Sequence, residues 1–284
     1  MQELCMMKLS GGRTLGYAEY GDPKGKPLFY FHGWPSSRLR FRVYDKIGKD
    51  IHLRLISPDR PGYGLSDFKK DRILLDYPDD VIELADKLKF KKFAVVGVSG
   101  GGPYAAVCAY KISKRLTNVG IVVGLGPAYI PHIFDGMPFF YKVGWENYSR
   151  FPILAKFGSI YRLVGEKYFS SLLARFDVRG GNDQKILDGI RKEWKAISKE
   201  TWRQGHKGAE KDLLLYTSDW RFDLKKIKVK TYLWYGKKDR NVTLAMGKYY
   251  ASQIPGSELT IYPNEGHLIS ITHAKEIFQA LVNY

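Results

Sequence analysis

The chain has 284 residues, 44% of them hydrophobic, enough to bury one large core and a smaller cap. Cys5 and Cys108 are its only cysteines; two are too few for a disulfide framework and are typical of a reducing, cytoplasmic setting. Apolar runs stay short of the roughly 18 residues of a membrane span, and we expect no secretion signal in residues 1–15. We interpret the net charge of +17 mainly as a solvated surface, with weak attraction to anionic surfaces as the alternative and no specific nucleic-acid binding.

Pro27–Phe31 is an apolar strand pattern that leads into the loop His32-Gly33-Trp34-Pro35, whose residue types suggest a functional role. Gly33 permits unusual backbone angles and Pro35 stiffens the chain after Trp34, so the Trp34 N–H is free to point inward. We interpret His32 as structural. The next strand, Leu53 to Ile56, leads into a loop of turn-forming residues over 57–67.

A serine on a sharp turn is the central motif. The strand from Phe93 runs into Gly97-Val98-Ser99-Gly100-Gly101, and an apolar helix pattern follows. Glycines two residues to either side of Ser99 allow the close backbone approach that such a turn requires, and the turn exposes the hydroxyl as a nucleophile. A dinucleotide-binding loop is the rival interpretation, but Ser99 stands where its second glycine must be.

A serine hydroxyl needs a base, and the base needs an acid to hold its tautomer. The strand ending at Gly236 is followed by Asp239, and the strand pattern Leu259–Tyr262 is followed by Gly266-His267. Both lie just past strand ends, where open α/β sheets place their sites. The sequence therefore predicts Ser99, Asp239 and His267 as a catalytic triad.

Two aspartates, Asp219 and Asp223, compete for the acid role, but they precede the strand. The anionic intermediate of acyl transfer also needs N–H donors. We predict these to be the backbone N–H groups of Trp34 and Gly100, which would form the oxyanion hole.

The segment between the serine and the acid is longer than the sheet requires. Ser99 and Asp239 are 140 positions apart, whereas two βα units need only about 30 residues each or somewhat more. We expect residues 127–220 to be a helical cap inserted between core segments 1–126 and 221–284. Its aromatic side chains should mostly pack, with a few lining an apolar pocket; they are Phe139, Phe140, Tyr141, Trp145, Tyr148, Phe151, Phe157, Tyr161, Tyr168 and Phe169.

Together these motifs resemble the α/β-hydrolase superfamily, in its esterase and acyl-hydrolase branch. The resemblance covers about residues 8–125 and 225–284, and it implies an α/β fold with a mostly parallel, doubly wound sheet carrying the cap. His32-Gly-Trp-Pro35 also resembles epoxide hydrolases and haloalkane dehalogenases. Those enzymes use an aspartate where this chain has Ser99, and a serine cannot form their alkyl-enzyme ester.

We therefore expect a serine hydrolase acting on small-molecule carboxylic esters with small to medium apolar acyl groups. The sequence leaves open an acyltransferase or perhydrolase, a noncatalytic ligand-binding protein, and a proline iminopeptidase-like aminopeptidase. The peptidase would need a carboxylate for the substrate amine, such as Glu146, Glu166 or Glu193. No Cys/His cluster has metal-ligand spacing, and we expect neither a metal nor a cofactor.

Overall fold

The computed structural model describes residues 2–151, 183–189 and 191–283, and the structural statements below concern these residues. Glu166 and the cap aromatics Phe157, Tyr161, Tyr168 and Phe169 lie outside them. An eight-stranded sheet forms the centre of the molecule, in the order β1-β2-β4-β3-β5-β6-β7-β8. Its strands are β1 (Gln2–Lys8), β2 (Thr14–Gly21), β3 (Lys26–Phe31), β4 (Leu53–Pro58), β5 (Phe93–Val98), β6 (Leu116–Val122), β7 (Thr231–Gly236) and β8 (Glu258–Tyr262).

Helices connect the strands. They are α1 (Asp45–Asp50), α2 (Tyr77–Lys87), α3 (Gly102–Lys111), α4 (Phe139–Arg150), α5 (Asp183–Gly189), α6 (Arg191–Thr201), α7 (Lys207–Thr217), α8 (Leu244–Gln253), α9 (Ile269–Thr272) and α10 (Ala274–Val282). Short 3₁₀ turns lie at Arg38–Tyr44, Leu74–Asp76, Ser99–Gly101, Ser113–Arg115 and Leu224–Lys226. None of the helices in the described ranges is both long and apolar enough to cross a membrane.

The sheet is parallel over six of its eight strands. Strands β3 to β8 pair in parallel, while β2 pairs antiparallel with β4 and β1 antiparallel with β2. This confirms the mostly parallel α/β sheet predicted from the sequence. Every residue of β5 is buried, as expected of a central strand whose two faces are both covered by helices.

Parallel pairing brings the candidate site together. Phe31 at the end of β3 pairs with Gly97 near the end of β5, and Gly236 pairs with Tyr262 at the ends of β7 and β8. The loops that follow these four strands therefore leave the same edge of the sheet. These are the loops that carry Trp34, Ser99, Asp239 and His267.

Over the described part of 127–220 the regular structure consists of helices α4 to α7. The domain boundaries at 126 and 220 stay a prediction. Trp145 of α4 stacks on Phe134, with ring centroids 5.8 Å apart, and lies 6.1 Å from the ring of Trp34. Phe139 at the start of α4 and Phe151 just after its end are 72% and 52% exposed, whereas Trp145 packs in the middle of the helix.

The aromatic centre of the sheet should dominate its stability. Phe29 is fully buried, with its ring centroid 4.6 Å from that of Phe93. Phe29→Ala is expected to lower the free energy of unfolding by about 3–5 kcal/mol, because it leaves a cavity in a packed core. Leu4→Ala, on the edge strand at 72% exposure, is the control and should change it by less than about 0.5 kcal/mol. Urea unfolding measures the free energy of unfolding of both variants. Equal losses in Phe29→Ala and Leu4→Ala would contradict the placement of Phe29 in the core.

Candidate active site

Ser99 lies on the turn between β5 and α3, with the left-handed backbone angle φ of 55°. A residue other than glycine seldom adopts this angle, and such strain is concentrated at functional sites. A β-carbon built on Gly97 would lie 2.1 Å from the carbonyl oxygen of Gly101, and one built on Gly101 would lie 2.1 Å from that of Phe31. Both positions of the predicted elbow therefore require glycine. The Ser99 side chain remains half-buried and accessible.

His267 lies between Ser99 and Asp239. Its Nε2 is 3.1 Å from Ser99 Oγ, and its Nδ1 is 2.7 Å from Asp239 Oδ2. Asp239 as a carboxylate can only accept, so we assign the ring proton to Nδ1, which leaves Nε2 to accept the hydroxyl proton of Ser99. The structure brings these three predicted residues into one hydrogen-bonded chain.

The carboxylate of Asp239 is held from its other side as well. Its Oδ1 accepts hydrogen bonds from the backbone N–H groups of Asn241 at 2.8 Å and Val242 at 2.9 Å, and the residue is buried. The rivals Asp219 and Asp223 are exposed and accept from nearby backbone N–H groups in their own turns. Asp239, not either rival, contacts the histidine.

A second carboxylate, absent from the sequence-based prediction, supports the histidine loop. Asp183 of α5 is buried and accepts from the backbone N–H groups of His267 at 2.7 Å and Leu268 at 2.9 Å. Burial by itself lowers the pKa of His267, but the charge and hydrogen bond of Asp239, helped by the charge of Asp183, outweigh it and raise the pKa above its usual 6.5. The site thus stabilises an imidazolium at this position.

The predicted oxyanion donors lie beside the serine. A β-carbon built on Gly33 would be 3.4 Å from Ser99 Cβ, and one built on Gly100 would be 3.0 Å from the Trp34 nitrogen. The Gly33–Trp34 peptide and the Ser99–Gly100 turn are therefore in contact. Within the described ranges, the Trp34 N–H donates to no backbone or side-chain acceptor. It is thus free for a ligand.

A buried ionic cluster lies behind this pair of loops. Asp212 of α7 is fully buried; Arg60 Nε donates to its Oδ2 at 2.8 Å and Arg72 Nη2 to its Oδ1 at 2.5 Å. The hydroxyls of Tyr63 and Tyr104 donate to the same carboxylate at 3.0 and 2.6 Å. Burial opposes the charge of Asp212, but the two guanidinium groups outweigh that cost and hold its pKa well below the usual range.

The cluster continues to both candidate oxyanion loops. Tyr216 of α7 donates its hydroxyl to the carbonyl oxygen of Gly100 at 2.8 Å, and Arg60 donates to the carbonyl oxygens of His32 and Gly33. His32 is completely buried, which lowers its pKa, and its Nε2 accepts from the Arg60 backbone N–H at 3.4 Å. A buried, neutral and bonded His32 is consistent with its interpretation as structural.

In the part of the chain that the structure describes, no group of three or more His, Cys, Asp and Glu side chains could hold a metal ion. The arrangement can instead activate a hydroxyl, hold a proton on His267 and present backbone N–H groups to a developing oxyanion.

The chain is similar in sequence and in structure to known α/β hydrolases. A family model of the alpha/beta hydrolase fold matches residues 26–274. The chain is 26% identical to the non-heme chloroperoxidase CPO-A1 of Kitasatospora aureofaciens, over 92% of this chain and 90% of that one. It is 23% identical to the bifunctional esterase/perhydrolase DCH of Acinetobacter calcoaceticus, over 96% of each. Among solved structures, an esterase from Exiguobacterium antarcticum superposes with a TM-score of 0.69, at 19% identity over 99% of this chain and 98% of that one.

The contact between Asp239 and His267 predicts how the pKa of His267 should respond when the carboxylate is removed. Because Asp239 raises the pKa of His267, Asp239→Asn should lower it, and NMR titration of the imidazole C–H signals measures the change. In the unchanged protein, His267 can act as a base only above this raised pKa, so activity should fall as the pH drops through it. Turnover of an ester should also fall by about 10⁴-fold in the variant, as when a triad acid sets the histidine tautomer.

Asp223→Asn and Asp219→Asn are the matched controls for this experiment. Each removes an exposed carboxylate that lies in a turn and does not contact His267. Both variants should therefore leave the pKa of His267 and the ester turnover unchanged. A large effect of Asp223→Asn with a small effect of Asp239→Asn would contradict the assignment of the acid.

Proposed function

The chain belongs to the α/β-hydrolase family, and we propose that within it this protein is a serine hydrolase that cleaves carboxylic esters of small to medium apolar acyl groups. The observation that carries the proposal is the hydrogen-bonded chain from Ser99 through His267 to buried Asp239. A serine, a neutral imidazole and a carboxylate in this order form the arrangement that activates a hydroxyl for attack on a carbonyl carbon.

Acylation begins with proton transfer from Ser99 Oγ to His267 Nε2 as the oxygen attacks the ester carbonyl. The carbonyl oxygen becomes an oxyanion, which accepts hydrogen bonds from the N–H groups of Trp34 and Gly100. Asp239 stabilises the imidazolium without taking its proton. His267 then gives that proton to the leaving alcohol, the bond from the carbonyl carbon to the alkoxy oxygen breaks, and the acyl group remains on Ser99.

Deacylation repeats these steps with water as the nucleophile. His267 accepts a proton from water, the resulting hydroxide attacks the acyl carbon, and the same two N–H groups hold the second oxyanion. The proton on His267 returns to Ser99 Oγ as the acid leaves. In both halves the ring must hold a proton briefly, and the charges of Asp239 and Asp183, which raise the pKa of His267, stabilise that protonated form.

Aromatic side chains next to the oxyanion loop support an apolar substrate. Trp145 of α4 lies 6.1 Å from Trp34, between ring centroids, and Tyr216 lies 6.4 Å from the same ring. Such groups bind an acyl chain by burial of its methylene groups, at about 0.8 kcal/mol each. We propose that helices α4 and α7, which carry these two rings, limit the length of the acyl chain that fits.

Transfer of the acyl group to hydrogen peroxide is a second candidate, favoured by the similarity to a bifunctional esterase/perhydrolase and to a non-heme chloroperoxidase. The acyl-enzyme forms as above. Peroxide then replaces water: it gives a proton to His267 and its oxygen attacks the acyl carbon, the bond from that carbon to Ser99 Oγ breaks, and Oγ takes the proton back as the peracid leaves. Peracid formation from the same ester in the presence of peroxide tests this activity.

Of the three carboxylates named for an aminopeptidase, the two in the described residues give it little support, and Glu166 lies outside them. Glu146 is exposed and lies 4.0 Å from Lys142, so it offers no buried carboxylate to a substrate amine. Glu193 is half-buried, close enough to Arg42 for its charge to act on that guanidinium. A protein that only binds a ligand would not require the hydrogen-bonded arrangement of Ser99, His267 and Asp239, so this arrangement favours an enzyme over the noncatalytic alternative.

Covalent labelling tests the nucleophile. A fluorophosphonate should modify the protein once, on Ser99, because only an activated serine hydroxyl attacks phosphorus readily. Intact-mass measurement and peptide mapping locate the adduct, and Ser99→Ala should abolish it. A label on another residue, or none on folded protein, would contradict the proposed mechanism.

A chain-length series of p-nitrophenyl esters tests the substrate class. We expect kcat/KM to rise several-fold per added carbon while methylenes are buried, with a maximum at about four to eight acyl carbons set by the usual size of such pockets. Trp145→Ala should move the maximum to longer chains. Phe139→Ala, exposed on the same helix, should not. A profile that rises through palmitoyl esters would instead indicate a lipase.

A further inference from the structure

We propose that Arg60 is a positioning residue for the oxyanion hole: it fixes and polarises the Gly33–Trp34 peptide, and Asp212 of helix α7 holds it in place. The role of that peptide rests on the proposed function. Arg60 lies on the loop after β4 and touches none of the reacting atoms in the proposed mechanism, so it acts through the backbone alone.

The Gly33 carbonyl and the Trp34 N–H belong to one peptide group. Since the group is planar and trans, its C=O and N–H point in opposite directions. The Gly33 oxygen accepts from Arg60 Nη2 at 3.0 Å and lies 2.9 Å from His32 Nδ1. Arg60 Nη1 also donates to the preceding carbonyl, that of His32. Anchoring these oxygens on one side fixes the Trp34 N–H in the opposite direction, and the whole peptide lies in contact with the Ser99–Gly100 turn.

The charge of Arg60 adds to this geometry. A hydrogen bond from a cation to a carbonyl oxygen draws electron density from the amide and strengthens its N–H as a donor. Arg60 is fully buried, so water does not screen the effect. Two guanidinium groups share one carboxylate in the cluster, which leaves an excess positive charge behind the site of the oxyanion.

Helix α7 holds the guanidinium. The Nε of Arg60 donates to Asp212 Oδ2 at 2.8 Å, which leaves both Nη atoms for the two carbonyls. Four residues further along the same helix, Tyr216 donates to the Gly100 carbonyl at 2.8 Å. One helix therefore braces both loops that carry the proposed N–H donors.

Arg60→Lys tests the role, because lysine keeps the charge but cannot bridge Asp212 and two carbonyl oxygens at once. Arg72→Lys is the matched control. Arg72 is equally buried and pairs with the same carboxylate, but its other contacts are Tyr104 and the Gly208 carbonyl. Both variants disturb the same ion cluster, and only one of them disturbs the Gly33 carbonyl.

We expect Arg60→Lys to lower kcat by about 10- to 100-fold with KM unchanged, below the 10²–10³-fold cost of losing a whole oxyanion donor. The affinity for an alkylboronic acid, which forms a tetrahedral adduct on the serine, should fall by the same factor. Arg72→Lys should change each by less than about threefold. Circular dichroism and thermal unfolding establish that each variant is folded; if Arg60→Lys is not, Arg60→Gln replaces it.

The Trp34 amide gives a readout that needs no turnover. In protein labelled with ¹⁵N-tryptophan, its backbone signal, assigned by its loss in Trp34→Phe, should move in Arg60→Lys and stay in place in Arg72→Lys. Equal losses of kcat in the two lysine variants, or an unmoved Trp34 signal, would overturn the proposal. Absence of ester turnover in the unchanged protein would overturn the proposed function instead, and the amide measurement would still decide the role of Arg60.

Discussion

The buried carboxylate of Asp212 is the interaction on which the geometry of the site depends. It is fully removed from solvent and accepts hydrogen bonds from two guanidinium groups and three tyrosine hydroxyls. Ion pairs in such surroundings gain little net stability over apolar packing, yet removing one partner costs about 3–5 kcal/mol because a bare charge remains. The cluster therefore serves to fix the arrangement of α7 against two loops.

Local signals were sufficient to predict most of the fold and the three residues that meet at the site. The run of apolar residues before Gly97 and the glycines around Ser99 reflect constraints within a few residues: two covered sheet faces and a crowded turn. Asp239 and His267 follow strands directly, so their positions could be inferred from strand ends alone.

The supporting residues could not be predicted in this way. Asp183 and Asp212 lie on helices of the segment 127–220, and the backbone N–H and guanidinium groups that they bind are 84 or more positions away along the chain. The residues around an aspartate in a helix do not indicate whether its side chain is buried. The packed structure is needed to show that its charge is paired. The turn-rich motif around Arg60 predicted a loop but carried no indication of which carbonyls the guanidinium would reach.

The close approach of α7 and the loop after β4 also limits what can replace this helical segment. If it were exchanged for the corresponding segment of another hydrolase, Arg60 and Arg72 would stay behind in the core without their anion, and Tyr216 would no longer support the Gly100 carbonyl. A functional chimera would have to supply a carboxylate and a hydroxyl at the same two positions, one helical turn apart. An exchange of this segment would therefore also disturb the two loops that carry Trp34 and Gly100.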